Sequence, residues 1–113
     1  MDMFNELTML SLEQATVLPY LSYRLAMDGV RVIRLEHPVY GDPNRMIGDN
    51  RLGEERMNTY FMAINAGKKA ITLNLGEPQG QEILKDLITS TCHTLLSVER
   101  GPFLFLEVEA APF

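Results

Sequence analysis

Apolar and polar positions change period several times along the chain, and each change marks an element. Leu7–Leu12 (LTMLSL) is a short apolar run with Thr and Ser interleaved, which predicts a strand. Leu18, Leu21 and Leu25 recur at i, i+3 and i+7, one face of a helix. Thr16 suits its N-cap, Pro19 its first turn, and Gly29 the position just past its end. Val30, Val32, Ile33 and Leu35 then carry the β-branched content of a buried strand. Strand, helix and strand within Leu7–His37 form a βαβ unit, normally parallel. Such units bind ligands beyond the carboxyl ends of their strands. The residues following Glu13 and around His37 are therefore the first places to look for chemistry.

Pro38 stops the second strand, because it cannot donate to a ladder. Pro38–Asn58 is rich in turn formers (HPVYGDPNR, IGDN, RLGEE), and a loop of that length in a compact domain is usually functional or mobile. Asn58–Ala66 reads as a short helix or a buried turn, closed by the Asn65-Ala66-Gly67 turn signal. Ala70–Leu75 alternates Ile71, Leu73 and Leu75 with Thr72 and Asn74, the period of a strand. Gly76 breaks it. Pro78 opens a helix reaching Ser90, with Ile83, Leu84, Leu87 and Ile88 as its apolar stripe. The expected order to residue 90 is β-α-β-loop-β-α. No repeat or low-complexity segment interrupts it. Residues 92–113 differ. A possible strand, TLLSV, is followed by the apolar run PFLFLEVE with no helix to cover it. That suggests an incomplete parallel sheet and a truncated or altered C-terminus.

Composition narrows the possibilities. The 113 residues suffice for one small domain with a core. A net charge of −5 disfavours nucleic acid as a partner, since phosphate neutralisation needs a basic face. With one cysteine, Cys92, no internal disulfide can form. The chain also shows neither a secretory signal pattern nor an apolar run long enough to span a membrane. A cytoplasmic protein without membrane contact is the expectation.

Candidate chemistry is sparse. Glu36, at the end of the second strand, could hold a ribose hydroxyl as in NAD-binding folds. The preceding turn EQATVLP contains no glycine, however, so the pyrophosphate-cradling G-x-G-x-x-G is absent. A solvated Glu36 paired with Arg34 or Arg45 is the plainer reading. His37 stands alone before a proline, as a strand-end residue or a ligand contact. No His, Cys or acid stands at metal-ligand spacing, so no metal site is expected. Cys92-His93 is not a catalytic dyad, and no nucleophile elbow is present. Lys68-Lys69 could meet a phosphate, but such pairs are more often solvated turns. The seven methionines read as core filler.

Several phrases in order resemble the N-terminal portion of the family III CoA-transferases, which include formyl-CoA transferases, carnitine CoA-transferases and α-methylacyl-CoA racemases. Met27–Pro38 (MDGVRVIRLEHP) is similar to the family's D-L-G-A-x-V-I-K-x-E-x-P. Gly41–Arg45 (GDPNR) is similar to G-D-P-x-R. Tyr60-Phe61 through Asn65, Lys68–Leu75 (KKAITLNL) and Pro78-Gln79-Gly80 are similar to the phrases that follow. The resemblance covers residues 7–91, so the fold it implies is α/β: a Rossmann-like parallel βαβ sheet, incomplete, the N-terminal part of a larger CoA-transferase domain. Residues 1–91 would form that part and 92–113 an atypical tail.

The resemblance implies coenzyme A lying across the strand ends. Ala15 and Thr16 would contact it after the first strand, and Leu73, Asn74, Leu75 and Gly76 after the third. His37 occupies the place of an arginine that packs on the adenine, keeping a flat ring but losing a permanent charge. The usual A-G-P after the first strand is Val17-Leu18-Pro19, and a family lysine near Gly76 is missing. The implied substrates are an acyl-CoA and a carboxylic acid. The aspartate that attacks the thioester, and the racemases' His and acid, lie beyond residue 113, so no residue here is a catalytic candidate. The family forms interlocked homodimers. A non-enzymatic interaction domain or remnant fragment, a racemase-type member and an NAD-type nucleotide binder stand as alternatives.

Overall fold

The computed structural model describes residues 4–13, 17–90 and 94–97, the last four as backbone. Ala15 and Thr16, including the expected N-cap, lie outside the described residues, as do 98–113. Strand β1 is Thr8–Leu12, helix α1 Val17–Met27, and strand β2 Arg31–Glu36. A 3₁₀ turn at Pro43–Met46 and helix α2 at Thr59–Asn65 occupy the long connection. Strand β3 (Lys69–Thr72), helix α3 (Pro78–Ser90) and strand β4 (Thr94–Ser97) follow. The four strands form one sheet in the order β3-β2-β1-β4, all parallel.

Sheet position explains the burial of each strand. β1 and β2 are central and covered on both faces, which is why their runs are near-continuously apolar. Leu10 and Val32 are buried, and Met9, Val30 and Val32 form a core cluster packed by Phe4, Leu25 and Ala26. β3 is an edge strand, with Lys69, Ala70 and Thr72 exposed. It stops at Thr72, three residues earlier than alternation predicts. The Leu73 N–H still donates to the Glu36 carbonyl oxygen at 3.2 Å before the chain turns away.

Helix α1 ends as its sequence requires. Gly29 has φ 101°. Its N–H donates to the Ala26 carbonyl oxygen at 3.1 Å, and the Val30 N–H to that of Leu25 at 3.0 Å. This paired C-terminal cap needs a left-handed residue, which glycine adopts without a Cβ clash.

The buried face of α1 differs from the leucine stripe. Leu18 and Ser22 are buried and Leu25 is partly buried, whereas Leu21 is 44% exposed. Ser22 turns inward because a buried carboxylate, Glu13, accepts its hydroxyl proton. A polar residue thus occupies a core position that periodicity assigns to an apolar one. Helix α3 shows a similar shift. Gly80 and Leu84 are buried, while Ile83 is 41% exposed.

Candidate functional site

The carboxyl ends of β1 and β2 hold a charged cluster inside the protein. Arg34 is its centre, with a side chain only 1% exposed. Its Nη2 lies 2.8 Å from Asp42 Oδ2, its Nε 3.3 Å from Glu36 Oε1, and its Nη1 3.7 Å from Glu13 Oε1. Nη1 also donates to Asn65 Oδ1. Lys68 Nζ donates to Glu13 Oε1 at 2.6 Å, to the Pro19 carbonyl oxygen at 2.8 Å, and to Asn65 Oδ1 at 2.9 Å. Ser11 donates to the other Glu13 oxygen at 2.6 Å. Arg45 grips Glu36 through two donors, at 2.8 and 2.6 Å. The Arg45 and Arg34 guanidiniums lie 3.8 and 4.8 Å from the Phe61 ring centroid. Three cations therefore face three carboxylates, as burial of charge demands.

This cluster corrects two expectations. Glu36 is paired with both Arg34 and Arg45, but it is buried rather than solvated. With Asp42 N and Arg45 Nε on Oε2, and Arg45 Nη2 and Arg34 Nε near Oε1, its carboxylate is already engaged and is not a ribose hook. Lys68 is not a solvated turn residue but a buried ion-pair partner. Sequence reasoning missed Glu13, Asp42, Phe61 and Asn65 as members. The available signal was Arg34, a charge inside the apolar run VRVIRLE, which must find buried partners once β2 is central.

Titration follows from these contacts. Burial raises the affinity of Glu36 for a proton. The Arg45 hydrogen bond, the charges of Arg34 and Arg45, and the Asp42 N–H together outweigh it and hold the carboxyl below its ordinary value. Arg45 moves the opposite way, chiefly through its hydrogen bond to Glu36. Burial lowers Lys68; Glu13 opposes that shift and Arg34 reinforces it. The folded protein thus binds a proton at Glu36 less tightly than the unfolded chain does. The stability Glu36 contributes is present above its ordinary value of 4.5 and is lost as pH falls through the lower folded value. Urea unfolding followed from about pH 7 to pH 3 should show this acid limb, and Glu36→Gln should flatten it. An unchanged limb in the variant would assign acid sensitivity elsewhere.

Beside the cluster, a cleft of about 550 Å³ opens at the ends of β2 and β3. It is lined by His37, Pro38 and Gly41, by Glu36 and Arg45, by Glu55 and Arg56, and by Ala70–Thr72. Asp42 caps the 3₁₀ turn that carries the lining residue Arg45, its Oδ1 accepting the Asn44 N–H at 2.9 Å. Of the residues expected to meet a nucleotide, His37 lines this cleft. Leu73–Gly76 lie after β3, in the turn into α3. That turn is shaped by Asn74, whose Oδ1 accepts the Gly76 N–H at 3.0 Å and whose carbonyl oxygen accepts the Glu77 N–H at 3.2 Å. The residues lining the His37 cleft end at Thr72, so none of Leu73–Gly76 is among them. Among the described residues, no group of three or more His, Cys, Asp or Glu is placed to hold a metal ion. Among the same residues, no helix is long and apolar enough to cross a membrane.

Parallel strands joined by helical connections, with a cleft at the strand ends, define an α/β protein. The family model for CoA-transferase family III matches residues 4–91, and the chain belongs to that family. It is 36% identical over 69 residues to the human succinyl-CoA:glutarate CoA-transferase, covering 61% of this chain and 15% of that protein. It is 33% identical over 92 residues to the succinyl-CoA:mesaconate CoA-transferase of Haloarcula marismortui, covering 78% and 22%. Similarity to the formyl-CoA:oxalate CoA-transferase of Rhodopseudomonas palustris is 36% over 78 residues, covering 69% and 18%. Among solved structures, the hypothetical protein Rv3272 of Mycobacterium tuberculosis superposes with a TM-score of 0.73 at 26% identity, covering 87% of this chain and 25% of that one. A CAIB/BAIF family protein from Brucella suis superposes at 0.70 and 26%, covering 82% and 25%. The chain thus spans 15% to 22% of the length of these curated relatives.

Proposed function

We propose that this chain is the N-terminal, CoA-binding portion of a protein that moves CoA between an acyl-CoA thioester and a carboxylic acid. The observation that carries the reading is the cleft at the ends of β2 and β3, lined by the His37 ring and by Arg45 and Arg56. A flat ring suits a heteroaromatic base, and Arg45 and Arg56, held on Glu36 and on the Val39 and Tyr40 carbonyls, shape the wall beside it. The residues fit the nucleotide end of CoA. What they supply is binding and orientation; the acyl-carrying nucleophile of the family has no counterpart among them.

Isothermal calorimetry with millimolar CoA tests this. Saturable binding is expected, with adenosine 3′,5′-bisphosphate preferred over ADP. Absence of any saturable heat sinks the CoA reading, and equal affinity for the two nucleotides points to a generic nucleotide cleft. The chain alone is expected to transfer no CoA from succinyl-CoA to a dicarboxylate.

A further inference from the structure

We propose that Arg56 is a positioning residue that locks His37 as a hydrogen-bond donor toward the cleft. His37 begins a closed turn, in which the Gly41 N–H donates to the His37 carbonyl oxygen at 3.0 Å. Within that turn, His37 Nδ1 accepts the Val39 N–H at 3.1 Å and the Tyr40 N–H at 3.3 Å. Backbone N–H groups only donate, so Nδ1 serves as the acceptor and the ring's N–H is on Nε2. The Tyr40 ring packs against the imidazole, with centroids 4.7 Å apart. His37 lines the cleft with a flat ring whose hydrogen is on Nε2.

Arg56 holds this turn from the other strand of the loop. Its Nη1 donates to the Val39 carbonyl oxygen at 3.3 Å and its Nη2 to that of Tyr40 at 2.6 Å. The same two residues that present N–H groups to His37 thus present their carbonyls to Arg56. Gly41 lets the guanidinium come this close: a Cβ there would stand 2.5 Å from Nη2. Arg56 itself has φ 61°, a left-handed conformation that residues with a side chain adopt rarely. Such a residue persists where its surroundings over-determine it, and that often marks function. Its carbonyl oxygen also receives Arg45 Nη1 at 3.4 Å, which connects the clamp to Glu36 and the buried cluster. Lysine cannot replace the guanidinium, because two carbonyls in a fixed relation need a planar fork.

The consequence for recognition is specific. The cleft selects a planar ligand with a hydrogen-bond acceptor at its edge, because its histidine is held as a donor. This part rests on the reading of the cleft as a nucleotide site, whereas the clamp does not.

The full chain labelled with ¹⁵N-histidine tests both parts. His93→Gln assigns the resonances. In the parent protein His37 should show the Nε2–H tautomer alone. Arg56→Lys should lose it to a tautomer mixture. Arg56→Gly, which also relieves the left-handed backbone and so preserves the fold, should do the same. Both variants should weaken adenosine 3′,5′-bisphosphate roughly fivefold to tenfold, the cost of ordering one or two side chains on binding. A tautomer unchanged in both variants overturns the proposal. So does Arg56→Lys matching the parent in affinity while Arg56→Gly loses it, which would make Arg56 a charge rather than a clamp. If the parent binds no nucleotide, the CoA reading fails, and the tautomer measurement still decides the clamp.

Discussion

Replacing Arg34 with methionine should destabilise the protein by about 3–5 kcal/mol, the range for breaking a buried ion pair from one side. Arg34 is buried at the junction of three carboxylates: Glu13, Glu36 and Asp42. Methionine fills much of the volume but leaves Asp42 without its 2.8 Å partner and Glu13 dependent on Lys68 and two serines. The cost comes from uncompensated buried charge, since packing is largely kept. Asp42 also caps the turn at Pro43–Met46, so the loop bordering the cleft should loosen along with the global loss. The urea midpoint gives the magnitude. A loss under about 1 kcal/mol would mean that water reaches the carboxylates and the cluster is not dry. Arg34→Lys should recover only part of the loss, because one ammonium cannot meet carboxylates on several sides as a guanidinium fork does.

Gly80→Ala should also destabilise, by about 3 kcal/mol, the upper end of overpacking costs. The direction is the informative part. Alanine in a helix ordinarily exceeds glycine by about 1 kcal/mol, and Gly80 lies inside α3. Here, however, a Cβ would stand 2.1 Å from the Asn74 carbonyl oxygen and 2.8 Å from its carbon. Those are backbone atoms and cannot swing aside. The glycine therefore permits the first turn of α3 to lie against the chain leaving β3. Gly53→Ala is the control: nothing lies within 4 Å of its Cβ position, and its φ of 73° is the only obstacle. That variant should lose about 1–2 kcal/mol, the left-handed penalty. A neutral or stabilising Gly80→Ala in thermal unfolding would mean that close packing of α3 on Asn74 does not require the glycine.

Much of the fold is legible in the chain because local chemistry repeats itself there. Val30–Leu35 has the residue types of a covered strand, Gly29 ends α1, and Pro78 opens α3 at the expected place. The possible strand in TLLSV is β4, which pairs with β1 from Met9↔Thr94 to Leu12↔Ser97. Errors arise where a tertiary partner changes a residue's value. Leu21 fits the apolar stripe of α1, yet Ser22 is buried in its stead because Glu13 reaches it. Alternation carries β3 to Leu75, yet pairing ends at Thr72, where the edge strand runs out of partner backbone at Glu36.

The candidate site divides in the same way. His37 was identifiable as a strand-end residue, because a parallel βαβ unit places ligands beyond its strand ends. Its hydrogen bonds, its tautomer and the clamp from Arg56 were not, because Arg56 lies nineteen residues along a loop whose path no local rule specifies. The motif Gly41–Arg45 could be matched as a phrase, but its physical role appears only when Asp42 meets Arg34 and Arg45 meets Glu36. Sequence alone determined the βαβ unit, the β3–α3 pair that follows the long loop, and the family, since these depend on periodicity, capping and ordered short phrases, while the 3₁₀ turn and the helical state of Thr59–Asn65 came only with the tertiary structure. Tertiary structure alone decided that Arg34, Glu13, Lys68 and Glu36 form a buried network. Whether a charge is solvated or paired depends on which strand is central, and that is a property of the assembled sheet.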